Sequence, residues 1–206
     1  MNLMREAARA LVPVVMLTIA AAAPAAPAGD LQSVESSLAG TRSLTADFVQ
    51  TDRKGQQLSG TLSLKRPGKI RFAYGAGINA LLVADGKTLH YLDYDVAQHS
   101  KWDIGKSPLA VLLSPNPDLG RIARIVPSDN SQVVVVRARD ARRPEFGTLV
   151  LAFIRSDAAP GGLRLEGWTA IDAQNKKTTV RLSNQRYNVA VPDSIFSFAE
   201  PKRKKA

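Results

Sequence analysis

The stretch GTLSLKRPGKIRFAYGA, residues 60–76, contains two short runs in which apolar side chains alternate with small or charged ones. Leu62 and Leu64 belong to the first run, and Ile70 and Phe72 belong to the second. Alternation with a period of two is typical of a β-strand that buries one face. The turn between the runs, KRPGK, packs three cations around a Pro-Gly pair, which is typical of a tight turn. The stretch therefore predicts a hairpin with an apolar face and a charged rim.

The same pattern recurs along most of the chain and predicts a mainly β fold. The predicted strands are residues 44–52, 57–65, 69–75, 80–85, 87–93, 132–139, 147–155, 163–172, 177–188 and 194–200. The Asp85-Gly86 pair is typical of a two-residue hairpin, and DAQNKK indicates a turn before residue 177. Together they predict an antiparallel meander of about ten strands. A sheet of that length must curl, either into a closed barrel or into an open one whose inner face is covered.

Two segments break this rhythm and predict helices. Residues 30–40 place apolar side chains at helical spacing between Asp30, a capping residue, and Gly40, a terminating one. Within SPLAVLLSPNP, residues 107–117, Pro108 suits a first helical position and later prolines end the apolar run. The second helix is therefore expected to be short, apolar and isolated among strands.

The alternation also predicts which side chains line the inner face of the curled sheet. They are Phe48, Leu62, Leu64, Ile70, Phe72, Leu82, Val134, Val136, Leu149 and Leu151, or the residues that alternate with them. Such a face usually forms a packed core. Aromatic residues make up only 6% of the chain, however, and a wide barrel lined by aliphatic side chains can stay partly hollow. The pattern leaves both interpretations open.

The first 28 residues have the features of a secretory signal peptide. A short basic start precedes an apolar run, which is followed by the small residues APA. We expect cleavage after Ala28, which leaves residues 29–201 as one domain and residues 202–206 as a basic tail. The alternative for the apolar run is a membrane anchor, but its length is short for a span. Export through this signal predicts a periplasmic location.

Composition narrows the classes of function. The chain has no cysteine, so an exported form would have neither disulfides nor a lipid-modified N-terminal cysteine. The net charge of +10 favours anionic partners, such as phospholipid surfaces or acidic proteins. The basic tail is interpreted either as a solvated end or as a contact with such partners. A nucleic-acid partner is not expected, because the basic segments lack interleaved aromatic residues.

One constellation could indicate catalysis or metal binding. HYLDYDVAQH places His90, Asp93, Asp95 and His99 close together, and two histidines with two carboxylates can hold a metal ion. The simpler interpretation is a hairpin strand followed by its polar turn. The chain contains no HExxH, no GxSxG and no glycine-rich phosphate loop. We therefore expect neither an enzyme nor a bound metal or cofactor.

Five segments occur in an order and spacing that resemble a known family. They are LTADFVQ, GTLSLKRPGKIRFAY, LLVADGKTLHYLDYDVAQ, SPLAVLL and IDAQNKKTTVRLSNQRYN with SIFSFAEP behind it. Together they resemble the periplasmic outer-membrane lipoprotein carriers, the LolA-like proteins, over nearly all of residues 31–201. The strand followed by Lys-Arg-Pro, with the DGK hairpin at a fixed distance behind it, is the most specific part of the resemblance.

The resemblance implies an unclosed antiparallel β-barrel of about ten to eleven strands, with a short α-helical lid over a hydrophobic cavity. Members of the family take acylated lipoproteins from an inner-membrane ABC transporter, carry them through the periplasm, and pass them to a receptor at the outer membrane. The carrier performs no covalent chemistry, and a one-domain shuttle is expected to work as a monomer. An alternative keeps the fold but assigns another lipid cargo or a role as an envelope sensor.

The resemblance also assigns roles to individual residues. Arg66 is expected to latch the lid, residues 108–113, by hydrogen bonds to its backbone carbonyls. Leu109 and Leu112 would face inward from the lid. Phe48 would line the cavity from the first strand, and Ile70 and Phe72 stand where the family often has aromatic residues. The chain ends soon after its last predicted strand, whereas better-known members continue into a further C-terminal segment.

Overall fold

A computed structural model describes residues 28–116 and 119–202 and shows one antiparallel sheet of eleven strands. The mainly β prediction is confirmed. The predicted signal peptide, apart from Ala28, lies outside the described residues, and so does the predicted basic tail, apart from Lys202. Within the described ranges, no helix combines the length and the apolar character that crossing a membrane requires.

The strands follow one another along the chain as a meander. They are β1 Ser43–Thr51, β2 Gln57–Lys65, β3 Lys69–Tyr74, β4 Ala80–Asp85, β5 Thr88–Asp93, β6 Gln98–Asp103, β7 Ala123–Val126, β8 Val133–Ala138, β9 Thr148–Arg155, β10 Leu163–Ile171 and β11 Lys177–Tyr187. Their order across the sheet is β6-β5-β4-β3-β2-β1-β11-β10-β9-β8-β7. The pairing of β1 with β11 joins the two halves of the chain, so the first and last strands lie at the centre of the sheet.

The sheet is unclosed, with β6 and β7 as its two edges. The chain passes from one edge to the other through a 3₁₀ helix, Ile104–Lys106, and two single-turn helices, α2 Ala110–Leu113 and α3 Leu119–Ile122. Pro108 precedes α2, and Ser114 ends it in an extended conformation. The short helix expected from the apolar run is therefore present, but it is not isolated among strands, because it lies between two other short helices on the segment that connects the sheet edges.

One large apolar cluster fills the concave side of the sheet. It contains inward side chains from both halves, among them Val134, Val136, Leu149 and Leu151, together with Val34 and Leu38 of α1, Ala28–Gly40. Helix α1 begins at Ala28, so Asp30 lies in its first turn and not at its cap. The carboxylate of Asp30 is buried and pairs with Arg155 of β9, which attaches the helix to the sheet.

Three segments differ from the prediction. Strands β6 and β7 lie where polar or short sequences, QHSKWD and ARIV, gave no alternating apolar signal. Both are edge strands; none of the β6 side chains is fully buried, and β7 has only four residues, which is too short to show a clear alternation. Residues 194–200, predicted as a strand, instead begin within the 3₁₀ helix Asp193–Phe196 and continue from Ser197 outside any strand. There Phe196 is buried against the outer face of the sheet, and this packing overrides the local alternation.

We call residues 189–200 the C-terminal strap, because they cross the convex face of β3 to β6. Its apolar side chains form a second cluster with outward residues of β4 and β5; the buried members are Leu81, Val83, Leu92, Val191 and Phe196. The carboxylate of Asp193 lies 2.9 Å from the ammonium groups of both Lys65 and Lys69. Hydrogen bonds from Lys69 and Lys65 lower the pKa of this carboxyl. The strap therefore covers one half of the convex face through apolar and charged contacts.

Replacing the buried aromatic ring of the strap tests how much the strap stabilises the sheet. Phe196→Ala is expected to lower the free energy of unfolding by about 3–5 kcal/mol, because it removes the largest side chain that fills the second cluster. Urea unfolding followed by circular dichroism measures this change. Ser197→Ala alters the exposed neighbouring residue and is the matched control. Equal stability of the two variants would contradict a stabilising strap.

Candidate functional site

The hairpin of β2 and β3 brings Arg66 to the C-terminal end of α2. The backbone of Arg66 is fixed by a hydrogen bond from its N–H to the carbonyl of Arg42, at 2.8 Å. The peptide bond to Pro67 is cis, and Gly68 has a left-handed backbone with φ of 73°. The turn ends β2 at Lys65 and starts β3 at Lys69, so the Arg66 side chain projects from the rim of the sheet.

The guanidinium of Arg66 contacts the last turn of α2 directly. Its Nε and Nη2 atoms donate to the carbonyl oxygen of Leu112 at 3.0 and 2.7 Å. The N–H of Gly68 donates to the carbonyl of Leu113 at 3.1 Å. The last carbonyls of a helix have no partner within the helix, and here the hairpin supplies two of those partners. Arg66 thus binds one carbonyl with two donors, while the neighbouring glycine amide binds the next.

Burial changes the electrostatics of this contact. Desolvation lowers the pKa of Arg66 to about 10, so the guanidinium stays protonated at neutral pH. A hydrogen bond from a charged donor is stronger than one between neutral groups. The third nitrogen, Nη1, is buried without a hydrogen-bond partner among the described residues. The contact thus joins a charged side chain to a helix end that carries partial negative charge.

The lid, residues 108–113, presents its leucines to the main core. Leu109 and Leu112 are buried in the large concave cluster. Leu113, which was predicted as part of the lid but not as an inward-facing residue, is buried there too. Ile104 before the lid and Leu119 after it belong to the same cluster. Two kinds of contact therefore hold the lid: apolar packing of its leucines against the sheet, and hydrogen bonds from the β2–β3 turn to its last carbonyls.

The residues predicted for the inner face lie on one surface beneath the lid. Phe48, Leu62, Leu64, Ile70 and Phe72 are all buried in the concave cluster, while Leu82 is partly buried at its margin. The rings form a chain of edge contacts, with centroids 5.0 Å apart for Phe48 and Phe72 and 6.1 Å apart for Phe72 and Trp168. With the lid in place, these side chains belong to one continuous cluster of buried or partly buried residues.

An open cleft of about 780 Å³ lies beside the lid on the side of the β2–β3 turn. Its walls come from that turn, the β4–β5 turn, strand β6 and the end of α2; they include Pro67, Gly68, Gly86, Trp102, Ile104 and Leu113. The Trp102 side chain is half exposed, which is unusual for so large an apolar group. Sequence reasoning missed Trp102, because its strand shows no apolar alternation. A lone tryptophan in a polar segment was the available signal.

Close packing of two turns positions the hairpin. A Cβ atom at Gly68 would lie 2.7 Å from the backbone of Gly86, closer than real Cβ contacts allow. Glycine is therefore needed at residue 68 both for its positive φ and for the approach of the β4–β5 turn. The two turns support each other, and the β2–β3 turn in turn holds the lid.

The histidines singled out for possible catalysis lie on the convex face, away from the lid. His90 Nδ1 and His99 Nε2 are 2.9 Å apart, and each ring contacts a carboxylate through its other nitrogen, His90 with Asp85 and His99 with Glu200. Phe198 of the strap packs on both rings. Asp93 instead accepts hydrogen bonds within its own turn. Among the described residues, no group of three or more potential ligands is arranged to hold a metal ion.

Comparisons with known proteins give one consistent result. The family model described as outer membrane lipoprotein carrier protein LolA matches residues 39–199. An outer-membrane lipoprotein carrier protein from Chromobacterium violaceum is 32% identical over 200 residues, which cover 91% of this chain and 93% of that protein. The protein of that name from Bordetella pertussis is 30% identical, with 98% and 96% covered.

A solved structure of a DUF1329 family protein from Desulfovibrio piger resembles the fold alone. It has a TM-score of 0.52 and 9% sequence identity, and the match covers 84% of this chain and 97% of that chain.

Substituting Gly68 tests whether the turn contact positions the hairpin. Gly68→Ala is expected to destabilise the protein by about 1–3 kcal/mol more than Gly55→Ala. Both glycines have a positive φ, but a Cβ at Gly55 meets nothing within 4 Å. The difference measured by urea unfolding therefore isolates the clash with Gly86. Faster hydrogen exchange at the amide of residue 68 should accompany this loss of stability, because the added methyl group would strain the hydrogen bond from that amide to the Leu113 carbonyl. Equal losses in the two variants would show that the close approach is not needed.

Proposed function

This chain belongs to the outer membrane lipoprotein carrier family, and from that membership we propose that it carries acylated lipoproteins through the periplasm. It binds the acyl chains of lipoproteins that an inner-membrane ABC transporter releases. It delivers them to a receptor at the outer membrane or to the membrane itself. The match of the family model to residues 39–199 supports this proposal across the whole sheet.

The single observation that carries the proposal is the contact between Arg66 and the carbonyl of Leu112. It joins the rim of an unclosed sheet to a one-turn helix whose leucines are buried against the apolar face of that sheet. Such a helix has too few internal hydrogen bonds to be stable by itself. Its position therefore depends on the latch and on its leucines, and both can be exchanged when cargo enters.

Acyl chains are proposed to replace the lid leucines in the concave cluster. Leu109, Leu112 and Leu113 occupy apolar space next to Phe48 and Phe72, and this space suits a methylene chain. Transfer of one methylene from water contributes about 0.8 kcal/mol. Displacing three leucines offsets part of that gain, because their side chains lose the same kind of burial. The closed state thus competes with the cargo for one apolar surface.

The latch is proposed to set the affinity at a level that permits release. Hydrogen bonds to a charged group contribute about 1.5–3 kcal/mol to stability. Because 1.4 kcal/mol is a factor of ten in a dissociation constant, breaking the Arg66 contact lowers affinity by roughly tenfold to a hundredfold. A binding site without this cost would hold several acyl chains too tightly for hand-off.

The remaining assignments follow from the same proposal. The carrier works as a monomer in the periplasm after the predicted signal peptide has been removed. Phe48, Leu62, Leu64, Ile70, Phe72 and Leu82 contact acyl chains, while Leu109 and Leu112 move with the lid. The protein binds and releases its cargo without catalysis, metal or cofactor. Trp102 is half exposed in the open cleft beside the lid, and this cleft is the route by which cargo reaches the concave cluster.

Arg66→Leu separates binding from release. The variant is expected to fold, to bind lipoprotein at least as tightly as the wild type, and to transfer it to outer-membrane vesicles at least tenfold more slowly. Arg66→Lys should be intermediate, because one ammonium cannot reproduce the paired Nε and Nη2 contact. Arg53→Leu removes a charge from the exposed β1–β2 turn and is the control.

The experiment measures soluble lipoprotein released from spheroplasts, and then its transfer to vesicles. A one-to-one complex of the wild-type protein with lipoprotein is the expected result. Loss of binding in Arg66→Leu would make the arginine a cargo contact and would refute the latch. A folded wild-type protein that releases no lipoprotein but co-purifies with another lipid would replace the proposed cargo.

A further inference from the structure

A second cavity, of about 290 Å³, lies against the lid and has one apolar and one basic wall. Pro108 and Val111 of the lid contribute to the apolar wall together with Phe146 and Leu149. Arg121, Arg139 and Arg143 contribute to the basic wall together with Asp140. Arg142 does not line the cavity, but it lies beside Arg143 in the chain and 3.9 Å from Asp140. We call Arg121, Arg139, Arg142 and Arg143 the arginine rim.

Three guanidinium groups of the arginine rim surround the carboxylate of Asp140. Asp140 lies 3.0 Å from Arg121, 3.4 Å from Arg143 and 3.9 Å from Arg142. The hydrogen bond from Arg121 is the main cause that lowers the pKa of Asp140, so this carboxyl is ionised at neutral pH. Within residues 137–147, three arginines of the rim, Arg139, Arg142 and Arg143, stand against the two carboxylates of Asp140 and Glu145. The mouth of the cavity is therefore cationic.

The contacts with Asp140 also hold the guanidinium groups in place. The Asp140 side chain is 11% exposed, whereas those of Arg143 and Arg142 are 54% and 73% exposed. Arg143 stacks on the ring of Phe146, with its guanidinium carbon 4.9 Å from the ring centroid. Arg143 thus keeps an outward face while Asp140 and Phe146 hold its inner side. Planar guanidinium groups arranged in this way suit the bidentate binding of a phosphate.

We propose that the arginine rim and its cavity bind the phosphodiester headgroup of an anionic phospholipid at the surface of a bilayer. The phosphate pairs with Arg142 and Arg143, and the glycerol with the first methylenes contacts Val111 and Phe146. Ligand pockets usually measure about 300–1,000 Å³, so this one admits a headgroup but not two acyl chains. The lipid therefore stays in the membrane, and the protein docks on it.

A bilayer fits these observations better than an acidic protein does. Carboxylates of a peptide would satisfy the guanidinium groups but would leave the apolar wall of the cavity uncovered. An anionic lipid presents its phosphate next to apolar carbons, and the cavity likewise has arginines and apolar side chains in its walls. The proposal goes beyond cargo transport, since it concerns where the protein touches a membrane. It holds whether or not the cargo is a lipoprotein.

Docking through this rim would bring the lid next to the bilayer. Val111 and Pro108 form one wall of the cavity, while Leu112 on the same helical turn accepts the hydrogen bonds of Arg66. The docked face therefore includes the element that closes the concave cluster.

Sedimentation with vesicles tests the proposal. The full mature chain is mixed with phosphatidylcholine vesicles that contain or lack phosphatidylglycerol. The double variant Arg142→Gln/Arg143→Gln should bind the anionic vesicles at least about tenfold more weakly than the wild type, because each cation near such a surface contributes to attraction. The matched control, Arg53→Gln/Lys54→Gln, removes the same charge from an exposed turn and should bind nearly as the wild type does.

Each other outcome overturns the proposal. Equal losses in the two double variants would show attraction by net charge alone, and no binding by the wild type would remove the membrane as the partner. Inorganic phosphate that binds the wild type as tightly as the vesicles do would identify a free-phosphate site. Binding to polyglutamate that depends on Arg142 and Arg143 and exceeds vesicle binding would identify an acidic protein partner. Lipoprotein release is measured separately, so failure of either proposal is recognised independently.

Discussion

The hydrogen bonds from Arg66 to the carbonyl of Leu112 are the constraint on which the rest of the closed structure depends. They require that β2 end at the rim, that Gly68 turn with a positive φ, and that the β4–β5 turn approach it closely. In return they fix the end of a single helical turn that has few internal hydrogen bonds. The leucines of that turn then close the concave cluster. In the proposed mechanism, this short polar contact determines whether a large apolar surface is covered.

The two faces of the sheet are covered in different ways. The concave face is covered by helix α1 and by the lid, of which the lid is attached through few contacts. The convex face of β3 to β6 is covered by the C-terminal strap, which combines an apolar cluster with ion pairs to Asp193 and with the paired histidines. The strap therefore contacts the strands that carry Arg66 on their convex face, while the lid on the other face is the element that we propose cargo displaces. The proposed latch requires both features, because Arg66 can hold a displaceable lid only if the strands that carry Arg66 stay in place.

Much of this arrangement could be predicted from the sequence, and the failures have physical causes. Strands with one buried face, such as β2 and β3, reveal themselves by alternation, and the resemblance of the segment around Lys-Arg-Pro assigned Arg66 to the lid. Edge strand β6 shows no alternation of apolar and polar residues, because none of its side chains is fully buried on either face. Residues 194–200 gave a false one, since Ile195, Phe196 and Phe198 alternate irregularly to reach the outer cluster and not a neighbouring strand. The pattern could not distinguish a packed from a hollow inner face, because that depends on where the lid lies.

The connection between the two sheet edges has a mechanical consequence. Strands β6 and β7 are joined by the chain that contains the lid, so the lid is also the tether that limits how far the edges can separate. While the latch holds, part of that tether is folded into the concave cluster and its effective length is short. If the latch opens as proposed, this connection becomes longer and the two edges can move apart. The proposal therefore couples the size of the interior to the position of the lid, so that a bulkier ligand would widen the sheet by the same motion that admits it.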